Sequence, residues 1–316
     1  MTRLFHSCDP HGNTLIWSKI IRLGTYYNAD FLAMCGDLTG KAIVPIVKVA
    51  ENEWYYAPRA KKEVVHSKDE LDNIRKDLEN KGFYVFETTA SEVEELRAKP
   101  ERVDELFIKL MRDRLKTWVQ MVEEKTPKHV KVMINPGNDD RMEIDDVIKE
   151  SERVIYPLGK VVSIDDRHEL ISCEWVNTTP WNTPRECTEE ELEKKLQKEF
   201  DRVNSHDNLI CNFHAPPYNT NIDTAAKLDK NLRPVTKFGA PIMIHVGSQA
   251  IRKALEKHQP LLGLHGHIHE SRGFDYIGRT LVLNPGSEYS AGILPGYIVD
   301  FPKKEGEKLN FFRVEV

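Results

Sequence analysis

The chain has 316 residues, of which 40% are hydrophobic and 30% charged, and its formal net charge at pH 7 is −5. This composition is typical of a globular protein with a sizeable core, and no apolar run approaches the roughly 20 residues that span a bilayer. Because nucleic-acid binders are usually basic overall, the acidic balance disfavours indiscriminate binding to DNA or RNA, while leaving open a basic groove.

The cysteines and the first residues indicate a compartment. Five cysteines without a C-x-x-C spacing argue against a disulfide framework and against a thiolate zinc site. The N-terminal sequence MTRLFHSCDPHG lacks the basic-then-apolar order of a secretory signal. We therefore expect a cytoplasmic protein without a membrane segment.

The first elements predicted in chain order lie within residues 41–126, which we interpret as an insertion or cap within a single domain of residues 1–316. Short β-branched and aromatic runs predict strands at Ile43–Val49, Trp54–Tyr56 and Phe83–Glu87. The charged run at Lys68–Lys81 predicts a helix with a solvated face.

A long helix is predicted at Glu101–Lys125, with Pro100 in its first turn, where a missing N–H costs nothing. Its apolar residues recur at helical spacing and are expected to form one buried face. They are Val103, Leu106, Phe107, Leu110, Trp118, Val119 and Val122.

Further along the chain, predicted strands alternate with helices. Thr188 and Glu191 form a capping-box pattern that begins one helix, and a second helix is predicted at Ser248–Lys257. This alternation predicts an α/β architecture. The strands are expected at Val130–Ile134, Val161–Ile164, Leu209–Phe213, Pro241–Val246, Thr280–Leu283 and Tyr297–Phe301.

Side chains that can bind metals recur near the ends of these apolar runs. Carboxylate oxygen, amide oxygen and imidazole nitrogen are all metal ligands, and the neighbouring glycines allow sharp backbone turns. Each motif alone is most simply a polar loop, but the ordered set predicts a shared site. The motifs are Asp9-Pro10-His11-Gly12, Gly36-Asp37, Gly137-Asn138-Asp139-Asp140, His214, and Gly266-His267-Ile268-His269.

This order of D-x-H, G-D, G-N, a histidine and G-H-x-H resembles the calcineurin-like metallophosphoesterases. Leu283–Ser287 (LNPGS) and the run HIHES look like phosphodiesterase-type members, and TTPWNTPRE is similar to uncharacterised archaeal and bacterial ones. The resemblance extends from Asp9 to His269. It implies a β-sandwich of two mixed sheets flanked by helices.

The resemblance also implies which residues bind metal. Asp37 is expected to bridge two ions, which together would clamp a phosphate ester while a hydroxide between them attacks phosphorus. Manganese is the expected metal, and iron, zinc and nickel suit the same ligands. The first ion is assigned to Asp9, His11 and His269, and the second to Asn138, His214 and His267.

One position departs from the family. A histidine usually follows the G-N pair, where it contacts phosphate and can protonate the leaving group, but this chain has Asp139. An ordinary carboxyl group is a poor acid at pH 7. Either a neighbour keeps Asp139 protonated, or another residue such as His245 supplies the proton, or the substrate has a good leaving group.

Other polar residues near the motifs have weaker signals. His245 precedes Gly247-Ser248 at a predicted helix start, where backbone N–H groups can receive a phosphate oxygen, although a histidine bonded to a loop carbonyl fits equally well. Arg141 and Arg185 are candidate phosphate clamps. The remaining histidines without ligand-like spacing are expected to be solvated loop residues: His6, His66, His129, His168, His206 and His258.

The metal-ligand motifs and the family that they resemble together imply a phosphoesterase that acts on a small phosphate ester. The more specific expectation of a phosphodiesterase follows from the resemblance alone. A non-catalytic metal-binding scaffold on the same fold is one alternative, favoured by the missing histidine. A nuclease is another, although no basic cluster adjoins the motifs. Homo-oligomerisation stays open, because a buried face within one subunit explains the long helix equally well.

Overall fold

The computed structural model describes residues 1–57, 61–302 and 308–316. Within these residues the chain alternates between short strands and helices. The helices are α1 (Thr14–Tyr26), α2 (Lys68–Glu79), α3 (Ala90–Ala98), α4 (Pro100–Lys125), α5 (Asp145–Lys149), α6 (Glu189–Phe200) and α7 (Gln249–His258), with 3-10 turns at Met142–Ile144 and Tyr289–Ala291.

The strands of the first half belong to two sheets. They are β1 (Thr2–Ser7), β2 (Phe31–Cys35), β3 (Ala42–Ala50), β4 (Glu53–Tyr56), β5 (Glu63–Val65), β6 (Phe83–Thr88), β7 (Lys131–Asn135) and β8 (Val154–Ile155). The strands of the second half are β9 (Val162–Ser163), β10 (Glu169–Cys173), β11 (Val176–Asn177), β12 (Glu186–Cys187), β13 (Leu209–Phe213), β14 (Thr224–Ala226), β15 (Thr236–Lys237), β16 (Ala240–Pro241), β17 (Met243–His245), β18 (Leu262–Leu264), β19 (Gly273–Ile277), β20 (Thr280–Asn284), β21 (Pro295–Phe301) and β22 (Asn310–Glu315).

Two six-stranded mixed sheets dominate the described residues. The first has the order β22-β21-β1-β2-β7-β8, and β1, β2, β7 and β8 run parallel. The second has the order β19-β20-β18-β13-β10-β9, and β10, β13, β18 and β20 run parallel. Each sheet thus has a block of parallel strands whose carboxyl ends share one edge.

The two sheets pack face to face. Leu4, Phe31 and Val299 of the first sheet share a hydrophobic cluster with Ile210 and Leu264 of the second. The outer face of the first sheet is covered by α1 and α4, and that of the second by α6 and α7. The predicted α/β class is therefore confirmed, with a mixed sheet in each of the two central layers.

The segment between β2 and β7 has a small core of its own. Strands β5-β4-β3-β6 form a four-stranded sheet, and Val44, Trp54 and Val65 pack with Leu71 and Leu78 of α2. Helix α4 instead joins the main core, where the indole of Trp118 stacks on that of Trp17 at a centroid distance of 4.8 Å. The boundaries 41–126 of an inserted unit stay a prediction.

The predicted elements match the structure unevenly. Leu209–Phe213 is reproduced residue for residue, and the Thr188–Glu191 capping box begins α6. The predicted face of the long helix is wrong at its start, where Val103 is 38% exposed. The fully buried side of α4 is formed later, by Met111, Leu115, Trp118 and Val122, where the helix crosses α1 and the first sheet.

No helix in the described ranges combines the length and apolarity that crossing a bilayer requires.

Candidate metal centre

The predicted motifs lie at the carboxyl ends of parallel strands from both sheets. In the first sheet Asp9, Asp37 and Asn138 follow β1, β2 and β7, and in the second His214 and His267 follow β13 and β18. Since these strand ends adjoin across the sandwich, loops far apart in sequence converge on one site. Rigid strands thereby hold the functional side chains while the loops stay accessible.

The backbone of these loops is unusual. Several non-glycine residues of the motifs have a positive φ, a conformation that favours glycine and costs of order 1–3 kcal/mol per residue. Such strained conformations persist only where the surrounding structure enforces them, and they are concentrated at functional sites. The values are +52° at Asp9, +40° at His11, +44° at Asp37 and +66° at His267.

A first group of side chains capable of holding a metal ion consists of Asp9, His11, Asp37 and His269. One ligand atom from each lies within 4.8 Å of all the others. The Nε2 atoms of His11 and His269 are 3.0 Å apart, and Nε2 of His11 is 3.8 Å from Oδ2 of Asp37. Two imidazole nitrogens this close suit a shared cation.

A second group consists of Asp37, His214 and His267. Nε2 of His214 lies 3.3 Å from Oδ1 of Asp37 and 3.1 Å from Oδ1 of Asn138. The amide oxygen of Asn138 therefore lies beside this second group, next to Nε2 of His214. Asp37 belongs to both groups, so the structure brings together all seven predicted metal ligands around one carboxylate.

The chain positions these loops with a buried carboxylate, Asp140. Its Oδ1 accepts hydrogen bonds from the amide N–H and hydroxyl of Thr39, and its Oδ2 accepts from the amides of Leu38 and Gly137. Asp140 thereby fixes the loops after β2 and β7 relative to each other. The sequence offers two adjacent aspartates and no signal for which one points inward.

Burial sets the charge of the clustered histidines. It lowers the pKa of His267 to about 3 and that of His269 to about 4, and it takes the pKa of His11 well below its usual range. These three rings are therefore neutral near pH 7, which is the form that binds metals.

The centre's carboxylates respond differently to burial. Burial opposes ionisation of Asp37, but the neighbouring histidines, His214 first, hold its pKa well below the ordinary value. For His214 burial favours the neutral ring, but Asp37 and Asp9 raise its pKa to about 9. Burial, together with Asp37, raises the pKa of Asp9 to about 7.

Several polar atoms of the cluster have no hydrogen-bond partner among the described residues. Oδ1 of Asp9 and Nδ1 of both His11 and His214 are buried without a hydrogen bond. A buried carboxylate oxygen without a hydrogen bond is costly, and a cation would satisfy it. The donor set and this orphaned oxygen therefore fit a metal ion.

Asp139 lies beside the cluster and pairs with a lysine that the sequence analysis missed. Nζ of Lys41 is 2.6 Å from Oδ2 of Asp139, and the amide of Asp139 donates to Oδ1 of Asp37. Burial and the charge of Asp37 raise the pKa of Asp139 to about 6, whereas Lys41 favours the ionised form. Asp37 and burial therefore favour the protonated carboxyl group, and Lys41 opposes it.

Tyr289 is a further residue near the centre without a sequence motif. Its ring centroid is 4.7 Å from that of His11 and 6.1 Å from that of His269. Tyr289 lies two residues after Leu283–Ser287 (LNPGS), the stretch that begins at the end of β20. This closeness to LNPGS is the one sequence signal that could have placed Tyr289 near the metal motifs.

His245 lies outside the Asp/His cluster, on the wall of a neighbouring cavity that His267 also lines. Its Nδ1 is 2.7 Å from Oδ1 of the buried Asp223. A carboxylate at this nitrogen fixes the ring and its tautomer, leaving Nε2 as the nitrogen for another partner. Oδ2 of Asp223 in turn accepts from the amides of Asn219 and Gly247.

The start of α7, which the sequence offered as one possible phosphate site, already has a carboxylate at its N–H groups. The carboxylate of Glu189 accepts hydrogen bonds from the amides of Gln249 and Ala250 and from the hydroxyl of Ser248. The chain's own carboxylate occupies the position that a phosphate oxygen would take.

The two candidate phosphate clamps are structural instead. Arg185 is fully buried, bonded to the carboxylate of Asp145 and to the carbonyl of Asp140. Arg141 forms a two-pronged ion pair with Asp104 of α4. Both guanidinium groups already have partners within the protein.

Comparisons with known proteins give a fold but no activity. No family model matches the chain. The Uncharacterized protein MJ1162 of Methanocaldococcus jannaschii is 38% identical over 159 residues, which are 50% of this chain and 64% of that protein, less than two thirds of its length.

Solved structures resemble the chain over nearly its whole length. One crystal structure superposes with a TM-score of 0.58 at 14% identity, covering 98% of both chains. The crystal structure of TT1561 of Thermus thermophilus superposes with a TM-score of 0.51 at 13% identity, covering 93% of both. At these identities the likeness concerns the fold alone.

Proposed function

We propose that the protein is a phosphoesterase that depends on two metal ions and hydrolyses a phosphodiester. The observation that carries this proposal is the position of Asp37 as the shared member of two groups of potential ligands. A carboxylate common to two sites keeps two cations close despite their repulsion. The face-to-face mixed sheets agree with the sandwich of the calcineurin-like metallophosphoesterases that the motifs resemble.

The chain's own residues would divide between the ions as the motif order implies. Asp9, His11 and His269 would hold the first ion, and Asn138, His214 and His267 the second. When bound, such a pair supplies a water activated near neutral pH and neutralises charge on phosphoryl oxygens. Manganese, iron, zinc and nickel all accept these oxygen and nitrogen ligands.

The leaving group needs a proton, and the arrangement favours His245 over Asp139 as its source. Asp139 is paired with Lys41, which opposes protonation. His245 is held by Asp223 in a cavity that adjoins His267, with its side chain 38% exposed. Imidazole is the side chain best suited to both accept and release a proton near pH 7.

The test begins with metal content rather than activity. We expect mass spectrometry to find about two metal ions per chain in the wild type purified without chelator, and far less in Asp37→Ala. The wild type should then hydrolyse bis(p-nitrophenyl) phosphate with added manganese, and Asp37→Ala should not. Gly239→Ala changes an exposed turn and serves as the control for losses of metal during purification.

The outcomes separate the alternatives. Two bound ions without hydrolysis of any phosphate ester would support the non-catalytic scaffold. Cleavage of single- or double-stranded DNA in preference to small diesters would support a nuclease. Failure to bind metal after reconstitution with manganese or zinc would remove the proposal.

A further inference from the structure

A cavity of about 550 Å³ adjoins the candidate metal centre at His267. His267 belongs to both, and Ile268 and Glu270 of the same loop also line the cavity. A phosphate held at the centre would therefore extend the organic part of its ester into this space. The volume lies within the range of sites for drug-sized ligands.

Aromatic side chains form part of the cavity wall. The side chain of Trp181 is 61% exposed and that of Tyr218 38% exposed, although large aromatic residues are highly buried on average. Ile244 and Val246 add apolar surface on the strand side. An exposed indole in the wall of this cavity offers a flat stacking surface for a planar ring.

The polar groups of the wall argue for a ring with polar edges. Asn177, His245 and Gln249 line the cavity and can exchange hydrogen bonds with a ligand, which a hydrocarbon chain would leave unsatisfied. Lys227 is the one fully cationic residue among the described residues that line it. A second phosphate group would therefore find little charge to bind.

We propose that this cavity binds an aromatic heterocycle of nucleobase size, stacked on Trp181. The substrate class would then be nucleotide-type esters, an assignment that rests on the proposed phosphoesterase function. Binding of the heterocycle itself requires neither metal nor catalysis.

The first experiment measures binding without phosphate. Adenosine and ribose, which differ only in the base, are titrated into the wild-type protein by calorimetry, with and without metal. We expect adenosine to bind and ribose not to bind. Trp181→Ala should weaken adenosine binding on the order of tenfold, as loss of a base–aromatic stack does, and Trp181→Phe should recover much of it.

A matched control comes from the segment that carries β15 and β16. Phe238 is 99% exposed on this segment and does not line the cavity, so Phe238→Ala removes an equally accessible aromatic ring from outside it. We expect this variant to bind adenosine like the wild type. An equal loss in Phe238→Ala and Trp181→Ala would overturn the proposal.

The second experiment tests whether one ligand can occupy the cavity and the metal centre together. In competition with bis(p-nitrophenyl) phosphate, adenosine 5′-monophosphate should inhibit at least tenfold better than ribose 5-phosphate, and Trp181→Ala should remove that difference without changing inhibition by ribose 5-phosphate. Equal inhibition by the two in the wild type, or tighter inhibition by octyl phosphate, would contradict a heterocycle site. Adenosine binding in a protein that hydrolyses nothing would leave the cavity assignment standing and refute the phosphoesterase.

Discussion

At the scale of single residues, Asp139 stands where the resembled family has a histidine, and it forms an ion pair with Lys41. Asp139 alone would set a negative charge beside a bound phosphate. Lys41 neutralises that charge from 2.6 Å, and the pair lies next to His11, whose Nδ1 is 3.8 Å from Oδ2 of Asp139. The ion pair would therefore repel an anionic substrate less than an unpaired aspartate would.

This arrangement predicts a specific pattern of rescue. On the proposed function, Lys41→Met should lower kcat/KM for bis(p-nitrophenyl) phosphate on the order of tenfold, because it leaves an unpaired carboxylate beside the substrate. Asp139→Asn introduced into Lys41→Met should restore much of the loss by removing that charge.

The kcat/KM values of the wild type, the two single variants and the double variant complete a double-mutant cycle. A double variant no better than Lys41→Met would mean that Lys41 acts on the substrate directly rather than through Asp139. Metal content measured alongside controls for a change in the centre itself.

How much of the site could be predicted depends on whether a residue type leaves a local pattern. The seven potential ligands stand in short motifs with adjacent glycines, so they could be named from the sequence. Lys41 and Asp140 could not, because one is a lysine among many and the other adjoins a second aspartate. His6 was expected in solvent but is buried and bonded to the carbonyl of His265.

At the scale of elements, prediction succeeded where a signal is local. The strand Leu209–Phe213 is bounded by polar residues, and the capping box of α6 needs only four consecutive positions. The start of α4 was misjudged because periodicity cannot tell where a helix leaves the sheet that buries it. Helix α1 was missed, although Asn13 caps it by accepting from the amide of Ile16.

In the loop after β2, Gly36 packs directly against a histidine from the second sheet. Gly36 has a φ of +90°, and a Cβ atom there would overlap the imidazole ring of His214, which comes from the other sheet. Any side chain at this position would push His214 out of the second group of potential ligands. The glycine is therefore required by a contact between sheets as well as by its backbone angle.

Gly36→Ala should consequently reduce metal content to about one ion per chain or fewer and, on the proposed function, abolish hydrolysis. Gly239→Ala is a matched control, because its φ is +82° but no atom lies within 4 Å of the added Cβ. Both substitutions carry a comparable backbone penalty of about 1 kcal/mol. Comparing the free energies of unfolding in urea of the two variants therefore separates the backbone strain from the loss of metal. Two tightly bound ions in Gly36→Ala would show that His214 is not a ligand.

At the scale of the whole molecule, the centre lies where the two sheets meet. Its potential ligands follow β1, β2 and β7 of one sheet and β13 and β18 of the other. Metal ions bound there would cross-link the two layers of the sandwich. Without them, the carboxylates of Asp9 and Asp37 repel each other in a buried space, and that repulsion contributes to the raised pKa of Asp9.

Removing metal should therefore destabilise the entire fold rather than one loop. A ligand present at about 100 times its Kd stabilises the native state by about 2.7 kcal/mol, so chelation should lower the Tm of the wild type by at least a few degrees. Calorimetric scans with and without chelator measure this change. Asp37→Ala, which lacks the shared carboxylate, should show little response to chelator. A wild-type Tm that stays constant while mass spectrometry records the loss of both ions would mean that the sheets are held by their hydrophobic core alone.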